Sequence, residues 1–258
     1  MIQTSFKSFF RQTCLLTEGG NLFSTRRINQ QEVEPTLKRL EKPTRLPLVN
    51  NTLGSTGKAE TSGDIDVVVN SNNCSIDELI ERLRKNGLIE TDEKSGKDTN
   101  IKKMKIGIEI AAFQSPIIGT DGNETGDYIQ VDFMFHDDPD YLKFAYASNE
   151  TLPYFKGKHR NIMISSIAKQ KNLLFSMKGL RDRTTNKIIT RDPNMIAQRV
   201  LGNDATERDL LNIPALVSYL ESHYSKEESL RLVADAEKTI KEEIGVSLYD
   251  LFKNNKKQ

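Results

Sequence analysis

The chain is 258 residues long, 36% hydrophobic and 28% charged, with a net charge of +1. That is enough chain to bury a core, in one large domain or two small ones, and no apolar run approaches the ~20 residues that cross a bilayer. Its two cysteines, Cys14 and Cys74, are too few and too far apart for a disulfide framework or a thiol metal cluster, and they suit a reducing compartment such as the cytoplasm.

The near-zero total conceals an uneven layout. Residues 61–153 carry 9 basic and 18 acidic side chains, a net −9, while residues 154–203 carry 11 and 2, a net +9. An acidic stretch followed by a basic one fits a chain that handles a polyanion.

In chain order, Met1 to Leu16 places Lys7 and Arg11 among Phe6, Phe9 and Phe10, with no acid before Glu18. The pattern predicts a packed amphipathic helix, with a loose likeness to an organellar presequence. Asn29 to Glu32 reads as a capping box that opens a helix through about Glu41, with Val33, Leu37 and Leu40 as its apolar stripe. Pro35 is tolerated best in a first turn, which argues for a start a few residues later, and Lys42-Pro43 is expected to end the helix. Leu46 to Leu53 then reads as a connection or short strand.

The stretch Leu53 to Val69 carries chemistry. A turn at Gly54-Ser55 offers backbone N–H groups and a hydroxyl suited to phosphate oxygens, with Lys58 in the same loop. The β-branched run that follows holds Asp64 and Asp66, two residues apart and so on one face of a strand, while Ile65, Val67 and Val69 face the other way. Paired carboxylates repel each other and favour a divalent cation between them. An Asp-x-Asp alone is also common on solvated hairpins.

Ser75 to Glu78 predicts a helix start, with Leu79, Ile80 and Leu83 on one face and Gly87 just past the end. Thr91 to Lys103 reads as a loop, and Met104 to Ile110 alternates as a strand. After a glycine-rich loop (Gly119, Gly122, Gly126), the strand Tyr128 to Phe135 sets Ile129, Val131, Phe133 and Phe135 on one face and Gln130 with Asp132 on the other. Aspartate is a poor strand former, so Asp132 within that run calls for a reason. His136-Asp137-Asp138 tempts a metal assignment and reads better as a capping turn before a helix from Pro139 to Ala147.

His159 to Lys171 is expected to be helical. Leu173 to Leu180 and Lys187 to Thr190 read as a two-stranded ribbon bearing Lys178, Arg181, Arg183, Lys187 and Arg191. Beyond Asp192-Pro193 the pattern is helical throughout, including one long helix from Ser225 to Gly245 and a basic tail. No internal repeat or low-complexity tract interrupts it.

Together, an apolar-Gly-Ser turn, a short polar loop, Ser62-Gly63-Asp64-Ile65-Asp66 and the later Val131-Asp132-Phe133 resemble the signature of the nucleotidyltransferase superfamily typified by DNA polymerase β. The matching motifs span Gly54 to Phe135, and the whole layout looks like small stand-alone members found in tailed bacteriophages. The resemblance implies an α+β fold, a small mixed sheet with flanking helices, followed by a mostly helical C-terminal region. The expected divisions are an N-terminal helical segment (1–45), a catalytic domain with the basic ribbon (46–192) and a helical region (193–258).

It further implies two Mg²⁺ ions, replaceable by Mn²⁺. Asp64 and Asp66 would ligate both ions, and Asp132 would bind the acceptor-side ion and take the acceptor's proton. Gly54 and Ser55 would hold the phosphates of an NTP or dNTP. Lys58, Lys178, Arg181, Lys156, Lys158, His159 and Arg160 are further candidates for phosphate or nucleic acid. The reaction implied is transfer of a nucleoside monophosphate to a hydroxyl, foremost a nucleic-acid 3′ end, with pyrophosphate released and no membrane involved. Two alternatives stay open: a protein or small-molecule acceptor, and a catalytically silent binding or virion protein of the same fold. Which nucleotide is used, any template and the oligomeric state are not encoded in these motifs.

Overall fold

The computed structural model describes residues 24–253, which fall into two compact units, one running to Pro139 and the other beginning at Asp140. The helix expected over Met1 to Leu16 and the tail beyond Lys253 lie outside the described residues.

In the first unit a two-residue strand β1 (Ile28–Asn29) leads into helix α1 (Gln30–Thr44). The start is pinned by the capping box, in which the Asn29 N–H donates to Glu32 Oε2 at 2.9 Å. Arg26 reinforces it by pairing with Glu32 at 2.9 Å. Pro35 therefore sits beyond the first turn and Pro43 inside the last one, contrary to both expectations from sequence, and the helix ends where Arg45 turns left-handed at φ 58°. A 3₁₀ turn (Val49–Asn51) follows, so Leu46 to Leu53 is the connection and not the strand of the two alternatives.

Strands β2 (Thr61–Ser62) and β3 (Ile65–Asn70) come next, then helix α2 (Ile76–Lys85), whose first turn is capped by Ser75 accepting from the Glu78 N–H. Strands β4 (Ile101–Ile106), β5 (Ile108–Ile118) and β6 (Glu124–His136) complete the unit. The single strand expected over Met104 to Ile110 is in fact a hairpin that reverses at Gly107, where φ is 76°. Strand β6 likewise begins at Glu124, four residues earlier than its apolar run.

The main sheet runs β3-β6-β5-β4, with β3 parallel to β6 and the other pairs antiparallel. This is the mixed sheet with flanking helices expected of an α+β chain. Ile65, Val67 and Val69 join Ile129, Val131, Phe133 and Phe135 in one buried cluster with Ala111 and Phe113, covered by Val33, Leu37 and Leu40 of α1 and Leu79, Ile80 and Leu83 of α2. Full burial of each such aliphatic or aromatic side chain stabilises the fold by about 1.5–3 kcal/mol. Side chains of opposite parity, Asp66 and Asp132 among them, leave the other side of the sheet.

The second unit holds helix α3 (Pro139–Ala145), helix α4 (Gly157–Gln170) and a three-stranded antiparallel sheet of β7 (Leu173–Ser176), β8 (Gly179–Asp182) and β9 (Ile188–Thr190). The expected ribbon thus gains a strand, because Met177-Lys178 turns the chain. Helix α4 is buried along nearly its whole length, Ile162 to Ala168, which makes it the centre of this unit.

Helices α5 (Pro193–Val200), α6 (Ile213–His223), α7 (Lys226–Leu232) and α8 (Ala234–Ile244) follow. The long helix expected from Ser225 is broken at Val233. Ser166 Oγ donates to the Leu232 carbonyl at 2.8 Å, which takes that acceptor at the junction between the two helices.

Candidate metal centre

Strand pairing builds the site. β3 and β6 run parallel with Asp66 opposite Asp132, and Asp64 stands one residue before β3 begins. Each of the three carboxylates offers an oxygen within 4.8 Å of the others, and among the described residues this is the one group of three or more acidic, histidine or cysteine side chains so arranged. Sequence reasoning placed Asp64 inside the strand; the structure places it at the strand's mouth, with its carboxylate still in the cluster.

The loop from Gly54 to Glu60 is tied to the strand that carries the aspartates. Leu53 N–H donates to the Asp66 carbonyl at 2.9 Å, and Asp66 N–H donates to Thr56 Oγ1 at 3.1 Å. Helix α1 holds the far side, with Gln30 N–H donating to the Glu60 carbonyl at 2.9 Å and Gln30 Nε2 to the Gly57 carbonyl at 3.0 Å. Gly54 has φ 60°, and a Cβ there would stand 3.8 Å from Asp66 Oδ2, so the turn passes directly against the carboxylates. Ser55 and Lys58 lie on this loop, both exposed. Ser55 accepts from the Lys58 and Ala59 N–H groups through its carbonyl, and its hydroxyl has no hydrogen-bond partner among the described residues.

The electrostatics follow from burial and crowding. Burial pushes Asp66 well above the ordinary carboxylate range, and the charges of Asp64 and Asp132 push it further. Asp132, only 2% exposed, is pushed up to about 7 by burial and by Asp64, against the pull of a hydrogen bond from Gln130. Asp64 is also raised by burial, with the positive charge of Arg27 opposing. Three close, desolvated carboxylates are an unfavourable arrangement without a cation.

The donor set fits a hard divalent ion. It is all carboxylate oxygen, with neither thiolate nor imidazole, which suits Mg²⁺ or Mn²⁺ and not zinc. His136, Asp137 and Asp138 instead form the turn before α3, where Asp138 N–H donates to His136 Nδ1 at 2.9 Å.

Sequence reasoning gave no role to Thr56, Arg27 or Gln130. Thr56 is buried and clamps the loop to Asp66. Arg27 is held beside Thr61, through Nε to its Oγ1 and Nη2 to its carbonyl, both at 3.0 Å. The buried Gln130 donates to Asp132.

Apart from Lys58, the basic candidates belong to the second unit. Lys178 lies in the β7–β8 turn, and Arg181 is half-buried on β8 and donates to Asn186. Arg160 is fully buried: it donates to the Leu210 and Phe144 carbonyls at 2.5 and 3.0 Å and lies 4.8 Å from the centre of the Phe144 ring. His159 is equally buried, accepting from the Lys156 N–H at 2.9 Å, and Lys158 pairs with Glu243. Arg160 and His159 therefore serve the packing of this unit, which corrects their reading as phosphate contacts.

No protein-family model and no curated protein sequence matches the chain. Among solved structures it is similar to polymerase beta of Leishmania infantum in a ternary gap complex, with 14% identity and a TM-score of 0.42 over 61% of this chain and 51% of that one. The same polymerase in a ternary P/T complex gives 13% identity and 0.41 over 70% and 65%. The chain thus spans between about half and two thirds of the length of these polymerase chains.

Proposed function

We propose that the first unit is a Mg²⁺-dependent nucleotidyltransferase that moves a nucleoside monophosphate from an NTP or dNTP to a hydroxyl, foremost a nucleic-acid 3′ end. The observation that carries this is the gathering of Asp64, Asp66 and Asp132 from two parallel strands beside a glycine turn that backs onto Asp66. Cations held by these three residues would neutralise charge at the transferred phosphorus and make the acceptor hydroxyl easier to deprotonate.

The chain's own groups have distinct tasks in this scheme. The acceptor oxygen forms a bond to the α-phosphorus as the bond to pyrophosphate breaks, and Asp132 takes the hydroxyl proton. The Gly54 backbone and the Ser55 hydroxyl hold the terminal phosphates, with Lys58 and Arg27 supplying positive charge.

A nucleic-acid acceptor is favoured by the second unit's cations. The only two acids between residues 154 and 203, Asp182 and Asp192, are occupied in capping Thr184, Thr185 and Met195. Lys178, Arg181, Arg183 and Lys187 have no carboxylate partner among the described residues, which leaves their charge for phosphates.

The test is incubation with Mg²⁺, labelled nucleotides and DNA or RNA primers. Label on primers with wild type and none with Asp64→Ala supports the proposal. Label on protein or a small molecule would replace the acceptor, and no transfer to any molecule would sink the enzymatic reading.

A further inference from the structure

Gln130 sits in the middle of a buried strand segment, 1% exposed, where Ile129 and Val131 beside it are fully buried. A glutamine here is costly, because both amide atoms must find partners away from water. One does: Nε2 donates to Asp132 Oδ1 at 2.9 Å. The other does not, since Oε1 is buried with no hydrogen-bond partner. An amide retained for packing alone would be replaced to advantage by an apolar side chain. The hydrogen bond to Asp132 is therefore the feature to explain.

The strand register gives Gln130 a second acidic neighbour. Ile65 pairs with Val131, so one step back along both parallel strands stand Asp64 and Gln130. Gln130 thus has Asp132 two residues ahead on its own strand and Asp64 at its level on the next. It is the donor that the structure gives to Asp132, and it is neutral. An arginine or lysine at this place would orient Asp132 equally well but would cancel one of the charges that attract the cation. A glutamate would add a fourth negative charge and remove the donor.

We infer that Gln130 is a positioning residue for the metal centre, orienting the Asp132 carboxylate through one oxygen and leaving the other for the cation. This rests on the nucleotidyltransferase reading, in which Asp132 is a ligand. Partners that orient a metal ligand are worth about 10–100-fold in metal affinity.

The test is Mn²⁺ titration of the full-length protein without nucleotide, read by electron paramagnetic resonance, alongside thermal melting. Gln130→Met keeps the volume and loses the donor. Gln130→Asn keeps the amide on a stem too short to reach. Both should bind Mn²⁺ about 10–100-fold more weakly than wild type, and the methionine variant should melt close to wild type, because removal of the unpartnered Oε1 offsets loss of the donor to Asp132. A loss smaller than about tenfold in both, or a loss that comes with lowered melting in both, overturns the inference. If wild type and Asp66→Asn titrate alike, the metal-centre reading itself fails, an outcome distinct from an unchanged affinity in the Gln130 variants alone.

Discussion

Asp66 and Asp132 stand opposite each other on two parallel strands, so the backbone itself holds together two carboxylates that repel. With Asp64 at the mouth of β3, three acidic oxygens lie within 4.8 Å of one another on a sheet whose other face is the unit's core. The core supplies the stability and the carboxylates spend part of it.

Replacing Asp66 with asparagine should therefore have opposite effects on stability and activity. The metal-free variant should melt higher than wild type at pH 8, because a buried charge facing two others is gone. Nucleotide transfer should fall by well over the roughly 100-fold that loss of an outer partner of a metal ligand costs. Melting curves and transfer rates on the same preparations check both halves.

The pH dependence has a definite sign. Asp132, pushed up to about 7, and Asp66, raised well above its ordinary value, hold protons in the folded protein where the unfolded chain has lost them. Their contribution to stability is present in full below about pH 4 and is lost as the pH rises through the folded values. Each tenfold difference in proton affinity between the folded and unfolded chain is worth about 1.4 kcal/mol, which puts the part due to Asp132 at a few kcal/mol. Metal-free wild type should lose more melting temperature between pH 5 and pH 8 than Asp132→Asn does, and Mg²⁺ should restore the difference at pH 8. Parallel curves would contradict the account.

Thr56→Val removes the acceptor for the Asp66 N–H and leaves a buried donor without a partner, which costs about 1–3 kcal/mol. Thr56→Ser should keep most of that stability. Denaturant unfolding of the pair separates the lost hydroxyl from the lost methyl.

Gly54→Ala places a Cβ on a left-handed residue, at a cost of roughly 1–2 kcal/mol, in the turn that faces Asp66. The KM for nucleotide should rise more than the melting temperature falls, since the turn's proposed partner is the phosphates.

The second unit separates two kinds of cation. Arg160→Ala leaves two carbonyls without their donor and should destabilise the protein by about 3 kcal/mol or more. Lys178→Ala should leave stability unchanged within about 0.5 kcal/mol and weaken primer binding in a salt-dependent way. Melting and primer-binding measurements at two salt concentrations distinguish them.

The three aspartates were legible in the sequence because strand parity is a local rule and because an aspartate among Val131 and Phe133 is out of character. The reversal at Gly107 was hidden for a related reason. Ile106 pairs with Ile108 and Met104 with Ile110, so even-numbered residues stay on one face through the turn and the alternation passes undisturbed. Thr56 and Arg27 left no local signal, since each acts through a contact that only pairing or loop closure creates, whereas Gln130 shares a strand face with Asp132 by the same parity rule and only its burial was hidden. Arg160 read as a candidate for phosphate or nucleic acid, and its burial follows from helix packing that periodicity within α4 does not disclose.

The central claim is that the cluster of Asp64, Asp66 and Asp132 supports metal-dependent release of pyrophosphate from a nucleoside triphosphate. Pyrophosphate formation by wild type and Asp66→Asn, with each nucleotide and candidate acceptor, in Mg²⁺ and in a chelator, tests it most directly. The account predicts acceptor-dependent pyrophosphate with wild type in Mg²⁺ and none above background in the other samples. Equal release by wild type and Asp66→Asn, or no release with any nucleotide and acceptor, would contradict it.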